Sequence, residues 1–198
     1  VKVLSPNRDG VAERQTLSFK LVRPSTVTAS LVGPDRLPRQ TQTGLRAPGV
    51  YKLAWSGRTP TGGPEVEGRW RWVINAVDEQ GQQSVAERAF WVNTTLGNVG
   101  VRPRLFRVRR RGSSLRINFR LAHAARVWVR IESTSGVPLR TVTNRWFRTR
   151  GRKTVRWDGR YGNRALAYRG VYVVRVYAVN RYGPVDITRT VAVRRPRR

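Results

Sequence analysis

The chain repeats itself at a spacing of about half its length. Leu17-Ser18-Phe19-Lys20-Leu21 lies against Ile117-Asn118-Phe119-Arg120-Leu121, and Val27, Ala29 and Leu31 lie against Val127, Val129 and Ile131, all at an offset of 100 residues. Further along the offset is 102: Trp55-Ser56-Gly57-Arg58 meets Trp157-Asp158-Gly159-Arg160, Gly68 meets Gly170, Ala76 meets Ala178 and Gly81 meets Gly183. So little drift means a duplicated unit, and a unit of roughly a hundred residues is large enough to close its own core. The joint is expected near Thr94 to Pro103, where Asn, Gly and Pro interrupt the pattern, giving domains 1–93 and 94–198.

Each unit reads as strands. Short alternating segments recur between Gly, Pro, Asn and Asp clusters, and no stretch keeps a 3.6-residue apolar period for ten residues. The spacing predicts strands over 16–22, 26–32, 50–55, 69–77 and 84–92, then over 115–121, 126–131, 139–143, 154–157, 171–179 and 187–193. In the long penultimate strand Tyr172, Val174, Val176 and Ala178 share one face, matched by Trp70, Trp72, Ile74 and Ala76 in the first repeat. These are core positions, because one face of a strand buries alternate residues. The fold class is therefore all-β.

Three motifs add to this reading: Ser5-Pro6-Asn7-Arg8-Asp9-Gly10-Val11, the turn Trp157 to Arg160, and a long strand opening at Gly170-Val171-Tyr172 and closing at Ala178-Val179-Asn180-Arg181-Tyr182-Gly183. In order and spacing, across both halves, they resemble the immunoglobulin-like domain of the bacterial flagellar hook-capping protein and similar domains of many secreted bacterial proteins. The resemblance implies two tandem immunoglobulin- or fibronectin-III-like β-sandwiches. It also implies an exported or envelope-associated module that supports, spaces or anchors a larger protein, without implying one ligand. Three departures stand out: Arg8 where the family tends to have Gly, Ser56 for the Asp of the first turn, and no Ser-Pro-Asn-x-Asp-Gly opening in the second repeat. Physically, Trp157 beside Asp158-Gly159 is expected to plug one end of a sandwich, and Gly170 to permit a sharp turn into its strand.

The inventory argues against catalysis. Cysteine is absent, which removes disulfides, Cys-ligated metals and thiol nucleophiles. A single histidine, His123, sits in a turn with no acid beside it in the sequence, so neither a triad nor a multi-histidine metal site is expected. Glu65 and Glu67 could be drawn as an acid/base pair, but they lie in a Gly/Pro-rich turn and their counterparts are Ala167 and Arg169. Asn7, Asp9 and Glu13 place three hard oxygen ligands near Gly10, as calcium needs; Arg8 and Arg14 oppose a divalent ion, so an Asx-turn is favoured and no metal or cofactor is expected. Methionine is absent, including at position 1, so the chain reads as a processed or excised product. No run approaches the roughly 18 apolar residues of a membrane span.

Charge carries the functional signal. The 198 residues hold 40 basic and 11 acidic side chains, net +29. Divided after Asn93, the first part carries 13 basic and 8 acidic residues, net +5, and the second 27 basic with only Glu132, Asp158 and Asp186, net +24. Preference for Arg over Lys can reflect genomic base composition, but the shortage of acids does not follow from that. A fold that manages at +5 does not need +24, so the excess points to an anionic partner. Alternation puts Arg126, Trp128 and Arg130 outward on one strand, Arg175 and Tyr177 on another, and Arg116 and Arg120 on a third. Arg145, Arg148, Arg150, Arg152 and Lys153 form a further cluster, with others at Arg102 to Arg111 and Arg194 to Arg198. Arginine rows with interleaved aromatics suit phosphate or carboxylate pairing and stacking on bases or sugar rings. The expected partner is an anionic polymer, whether cell-wall glycopolymer, acidic polysaccharide or DNA. The alternatives are a spacer or assembly subunit docking onto an acidic protein surface, a dedicated nucleic-acid-binding protein, and a merely solvated basic surface. Residues 1–93 and 94–198, made separately, should each unfold in one cooperative transition; loss of strand circular dichroism in both halves would count against two domains.

Overall fold

The computed structural model describes residues 2–7, 10–109 and 111–195. Every regular element among them is a strand, and no helix is long and apolar enough to cross a membrane. Contacts gather the chain into two compact units, Val1–Thr94 with Arg181–Gly183, and Thr95–Asn180 with Pro184–Arg198.

In the first unit the strands are β1 (Lys2–Leu4), β2 (Gln15–Leu21), β3 (Ser25–Val32), β4 (Pro38–Arg46), β5 (Gly49–Trp55), β6 (Gly68–Asp78) and β7 (Gln83–Val92). One sheet runs β1-β7-β6-β3-β4, with β1 parallel to β7; β2 and β5 pair as a separate two-stranded sheet. The expected inward row on β6 is buried at Trp70, Trp72 and Ile74. Trp55 of β5 meets Trp70 at 4.5 Å and Phe90 at 6.0 Å, which joins the two sheets. Burying a large apolar side chain of this kind stabilises by roughly 1.5–3 kcal/mol.

The second unit holds β8 (Leu96–Arg102), β9 (Leu105–Arg107), β10 (Leu115–Leu121), β11 (Ala125–Glu132), β12 (Pro138–Phe147), β13 (Gly151–Trp157), β14 (Gly170–Asn180) and β15 (Gly183–Arg194). Its sheets are β13-β10-β8 and β12-β11-β14-β15-β9, with β9 parallel to β15. This is the strand arrangement of an immunoglobulin-type sandwich. Trp157 is 1% exposed and packs against Phe106 at 5.6 Å and Tyr172 at 5.9 Å, so it does plug the space between the sheets. Its Nε1 donates to Arg160 O at 2.8 Å, and Asp158 Oδ1 accepts from Arg160 N at 3.0 Å, which closes the turn. Tyr172 hydroxyl lies 2.6 Å from that of Tyr161; burial first, then this contact, pushes the Tyr172 phenol pKa up.

Two expectations are corrected. The stretch from Thr94 to Pro103 is not a break in the strand pattern but contains β8, whose Leu96, Val99 and Val101 are buried. Their spacing is irregular because the ladder with β10 shifts register between Asn118 and Arg120, a bulge that changes the strand's phase, with Asn98 at φ +53°. Strand β4 carries no apolar alternation and is wholly polar apart from Gly44 and Leu45 after its opening Pro38. It forms through its ladder with β3 and through hydroxyl pairs, Thr28 with Thr43 and Ser30 with Thr41, each at 3.1 Å.

The glycine expectation also divides. At Gly68, with φ +140°, a Cβ would stand 2.8 Å from Pro34 Cγ, whereas at Gly170 it would meet only Tyr172 Cε2 at 3.9 Å, an ordinary contact. Of the paired turn glycines Gly57 and Gly159, the second is the tighter: its φ is +81°, and a Cβ there would stand 2.7 Å from Val108 Cγ2. Gly159→Ala should therefore destabilise the second unit by about 2–3 kcal/mol through backbone strain and overlap, and Gly170→Ala by less than about 1 kcal/mol. Urea unfolding of both variants checks the contrast.

Candidate functional site

Arg116, Arg120 and Arg152 all leave the outer face of the three-stranded sheet, because their neighbours Leu115, Ile117, Phe119, Leu121, Val155 and Trp157 occupy the inner one. The register sets them side by side. Arg116 stands opposite Arg156 on β13 and Arg102 on β8, and Arg120 opposite Arg152. Strands lie about 4.8 Å apart and rise about 3.4 Å per residue, so the two arginine rows are separated by about 14 Å along β10. Between them runs a polar floor: Asn118 Oδ1 accepts from Thr154 Oγ1 at 2.8 Å, opposite Gly100. The result is an open groove of about 840 Å³ lined by these five arginines, Lys153, Asn98, Gly100, Asn118, Phe119 and Thr154. A second groove of about 870 Å³ shares Arg102 and adds Arg104 and Arg189; Arg189 Nε donates to Val99 O at 2.9 Å.

Like charges directly opposite in a ladder repel, and no carboxylate among the described residues pairs with any of the five. The three acids of this half are committed elsewhere. Asp158 caps its turn, while Glu132, 4% exposed, and Asp186 both hold Arg175: Nε donates to Glu132 Oε2 at 2.9 Å, and Nη1 pairs with Asp186. Hydrogen bonding to Glu132 raises the Arg175 pKa further. Arg175, expected to be a free anion ligand, is thus already neutralised.

The same places in the first repeat carry no such set. Thr16 stands where Arg116 is, Ala54 where Arg156 is, Val50 where Arg152 is and Lys20 where Arg120 is, on strands paired in the same way.

Of the remaining expected residues Lys153 also borders this groove, and the others fall on other surfaces. Arg126, Trp128, Arg130, Arg175 and Tyr177 share the outer face of the five-stranded sheet, on the far side of the sandwich from the groove. There Arg126 Cζ lies 4.9 Å from the Trp128 ring, Trp128 is 5.4 Å from Tyr177, and Arg126 Nε donates to Asn144 at 3.2 Å. Exposed Trp146 stands opposite Arg126 on β12 and extends this aromatic face. Arg145 alternates to the opposite side of β12 and covers the Phe147 ring at 4.5 Å. Arg148 and Arg150 are exposed in the turn between β12 and β13, and Lys153 folds back on that turn, Nζ donating to Thr149 Oγ1 at 2.7 Å. The twelve residues therefore make two faces and an edge, not one site. Sequence reasoning set Arg102 in a separate cluster, because its place depends on the irregular β8, and left out Arg156, which a period of two from Arg152 through Thr154 could have found.

Of the other candidates, Glu67 Oε1 accepts from Thr94 N at 2.6 Å and so tethers backbone. Among the described residues no group of three His, Asp or Glu side chains could hold a metal ion. Arg8 and Asp9 lie outside the described residues, so the Asn7/Asp9/Glu13 loop is described only at Asn7 and Glu13; Arg110 and the tail 196–198 lie outside as well.

No family model matches the chain, and no curated protein does. Among solved structures, a tetra-tandem repeat from the extending region of a large adhesion protein aligns over 91% of this chain and 45% of that one, at 16% identity and a TM-score of 0.37. Dimeric latent PorU from Porphyromonas gingivalis aligns over 97% and 17%, at 13% identity and 0.39. The BSP domain of a biofilm associated protein aligns over 97% and 28%, at 14% identity and 0.29. This chain spans less than half the length of each of these. Likenesses at these TM-scores assign neither a family nor a function.

Removing Glu132 would leave Arg175 partly buried without its main partner. Glu132→Ala should destabilise the second unit by about 1–3 kcal/mol, read by chemical denaturation, and Arg175→Met in the same background should recover part of the loss.

Proposed function

We propose that the chain is a non-enzymatic binding and anchoring module of a surface or exported protein, its second unit adhering to a linear anionic polymer along the outer face of β8, β10 and β13. One observation carries the reading: five arginines in directly opposed cross-strand positions without carboxylate partners among the described residues, where the sister sandwich has Thr16, Lys20, Val50 and Ala54 at four of the same sites. Opposed guanidinium groups repel in the free protein and are relieved when phosphates or carboxylates lie between them. The groove floor is Asn118, Thr154 and Gly100 and presents no aromatic face, since Phe119 beside it is buried. That favours a polymer read through its charges, such as a cell-wall glycopolymer or acidic polysaccharide, over one that needs base stacking. The hook-capping resemblance of both repeats supports an exported module that spaces or anchors a larger protein.

The aromatic face around Trp128, Tyr177 and Trp146 favours a second reading, stacking on single-stranded DNA or on sugar rings. The two readings separate by mutation. Arg116→Glu with Arg156→Glu should weaken binding to heparin and teichoic acid at least tenfold, whereas Arg126→Glu with Trp128→Ala should change it less than threefold. The reverse pattern would transfer the function to the five-stranded sheet, and no change in either pair would leave the module as a spacer. If about five cations neutralise phosphates on duplex DNA, used as a reference polyanion, log affinity should fall against log salt with a slope of roughly −4.5.

The same geometry gives a stability test with the opposite sign. Arg116→Thr with Arg156→Ala, which installs the first repeat's residues, should abolish most binding while stabilising the free second unit by about 0.2–1 kcal/mol at low ionic strength. The gain should fade in high salt, as screening removes the repulsion it relieves.

A further inference from the structure

The cationic groove of the second unit is not evenly charged. Along β10 and β13 three cross-strand pairs follow one another: Arg116 opposite Arg156, Asn118 opposite Thr154, and Arg120 opposite Arg152. Two charged rungs therefore flank a neutral one, each about 7 Å from it along the strands. The neutral rung offers hydrogen bonds instead. Thr154 Oγ1 donates to Asn118 Oδ1 at 2.8 Å, which leaves the two N–H donors of Asn118 Nδ2 and the lone pairs of Thr154 Oγ1 without a partner among the described residues. At Gly100, opposite Asn118 on β8, a Cβ would meet nothing within 4 Å, so the space over this rung is open. The first unit has no such alternation: Thr16 with Ala54 is neutral, while Ser18 with Lys52 and Lys20 with Val50 each carry one lysine.

Resting on the reading of this groove as a polyanion site, we propose that it selects a polyol phosphate, a polymer in which phosphodiesters alternate with a neutral, hydroxyl-bearing unit. The chain runs along β10 with a phosphate at each arginine rung. A phosphodiester directs its two free oxygens apart, so that each can accept from the guanidinium of one strand, whereas a planar carboxylate matches the fork of a single arginine. Between the phosphates, a hydroxyl of the neutral unit accepts from Asn118 Nδ2 and donates to Thr154 Oγ1. A charge-dense chain such as inorganic polyphosphate is held by the arginines alone. Its anion over the middle rung would face the Thr154 oxygen, whose proton is already given to Asn118. Affinity thus comes from the arginines and discrimination from the rung between them.

The test is Asn118→Val with Thr154→Val in the full chain, which keeps every arginine and places β-branched residues on strands that favour them. Binding is measured at one ionic strength to poly(ribitol phosphate), to inorganic polyphosphate, and to hyaluronate, in which carboxylates alternate with neutral sugars. Losing two hydrogen bonds should weaken poly(ribitol phosphate) binding about fivefold to tenfold and change polyphosphate binding less than about twofold. Retained polyphosphate binding also shows that the variant is folded. Thr154→Val alone, an isosteric change, should give the same contrast at reduced size, and Thr154→Ser, which keeps the hydroxyl, should leave all three polymers bound as before. An equal loss for all three polymers, or no loss for any, overturns the proposal. A loss confined to hyaluronate overturns it too, and gives the groove to a uronate chain. The polyanion reading itself is judged separately, by Arg116→Glu with Arg156→Glu.

Discussion

Trp157 wedged against Phe106 and Tyr172 fixes the phase of β13, and much of the second unit's surface follows from it. Once Trp157 points inward, Val155 must follow, and Arg152, Thr154 and Arg156 have only the outer face left. The ladder passes the same phase to β10, so Arg116 and Arg120 join them. A one-residue slip would bury four guanidinium groups and expose Ile117 and Phe119, which no rearrangement of a small sandwich could tolerate. Core packing thus holds the arginines in rows that mutual repulsion would otherwise disperse.

The duplication separates what the fold requires from what has been added to it. In the first unit Trp55 packs against Trp70 and Phe90, and β2 and β5 keep the pairing of β10 and β13, with Thr, Ala, Val and Lys outside. The inner faces are held by packing; the outer faces are free to vary. Acids follow the same logic. Two of the three in the second half stand around Arg175 on the five-stranded sheet, so the charge of that face is partly cancelled and the groove on the other sheet is left wholly cationic.

The architecture was legible in the sequence wherever alternation was strict. Leu115–Leu121 emerges with the expected bounds, and the inward rows on β6 and β14 lie where a period of two puts them. Alternation missed four strands: β1 and β9, at three residues each, are too short to show it, and β4 and β8 escape it for different reasons. Strand β4 has no buried face to alternate against, and β8 changes phase at its bulge, which hides Leu96, Val99 and Val101 as members of one strand. The candidate site was legible residue by residue but not as an assembly. Alternation tells which residues leave a sheet, not which sheet they leave, so Arg116 and Arg126 looked equivalent although the core lies between them. Nor could it foresee that Arg175 meets both Glu132, on a strand far away in sequence, and Asp186, on the next strand.

Strand β8 has a mechanical consequence. It is the first strand after Thr94, and it contributes both Arg102 in the wall of the groove and Gly100 in its floor. Tension on the chain at that point would load the ladder between β8 and β10 before any other part of the second unit. A polymer lying across Arg102, Arg116 and Arg156 would clamp three strands together from outside, so that a tethered protein would resist peeling more strongly while its ligand is held.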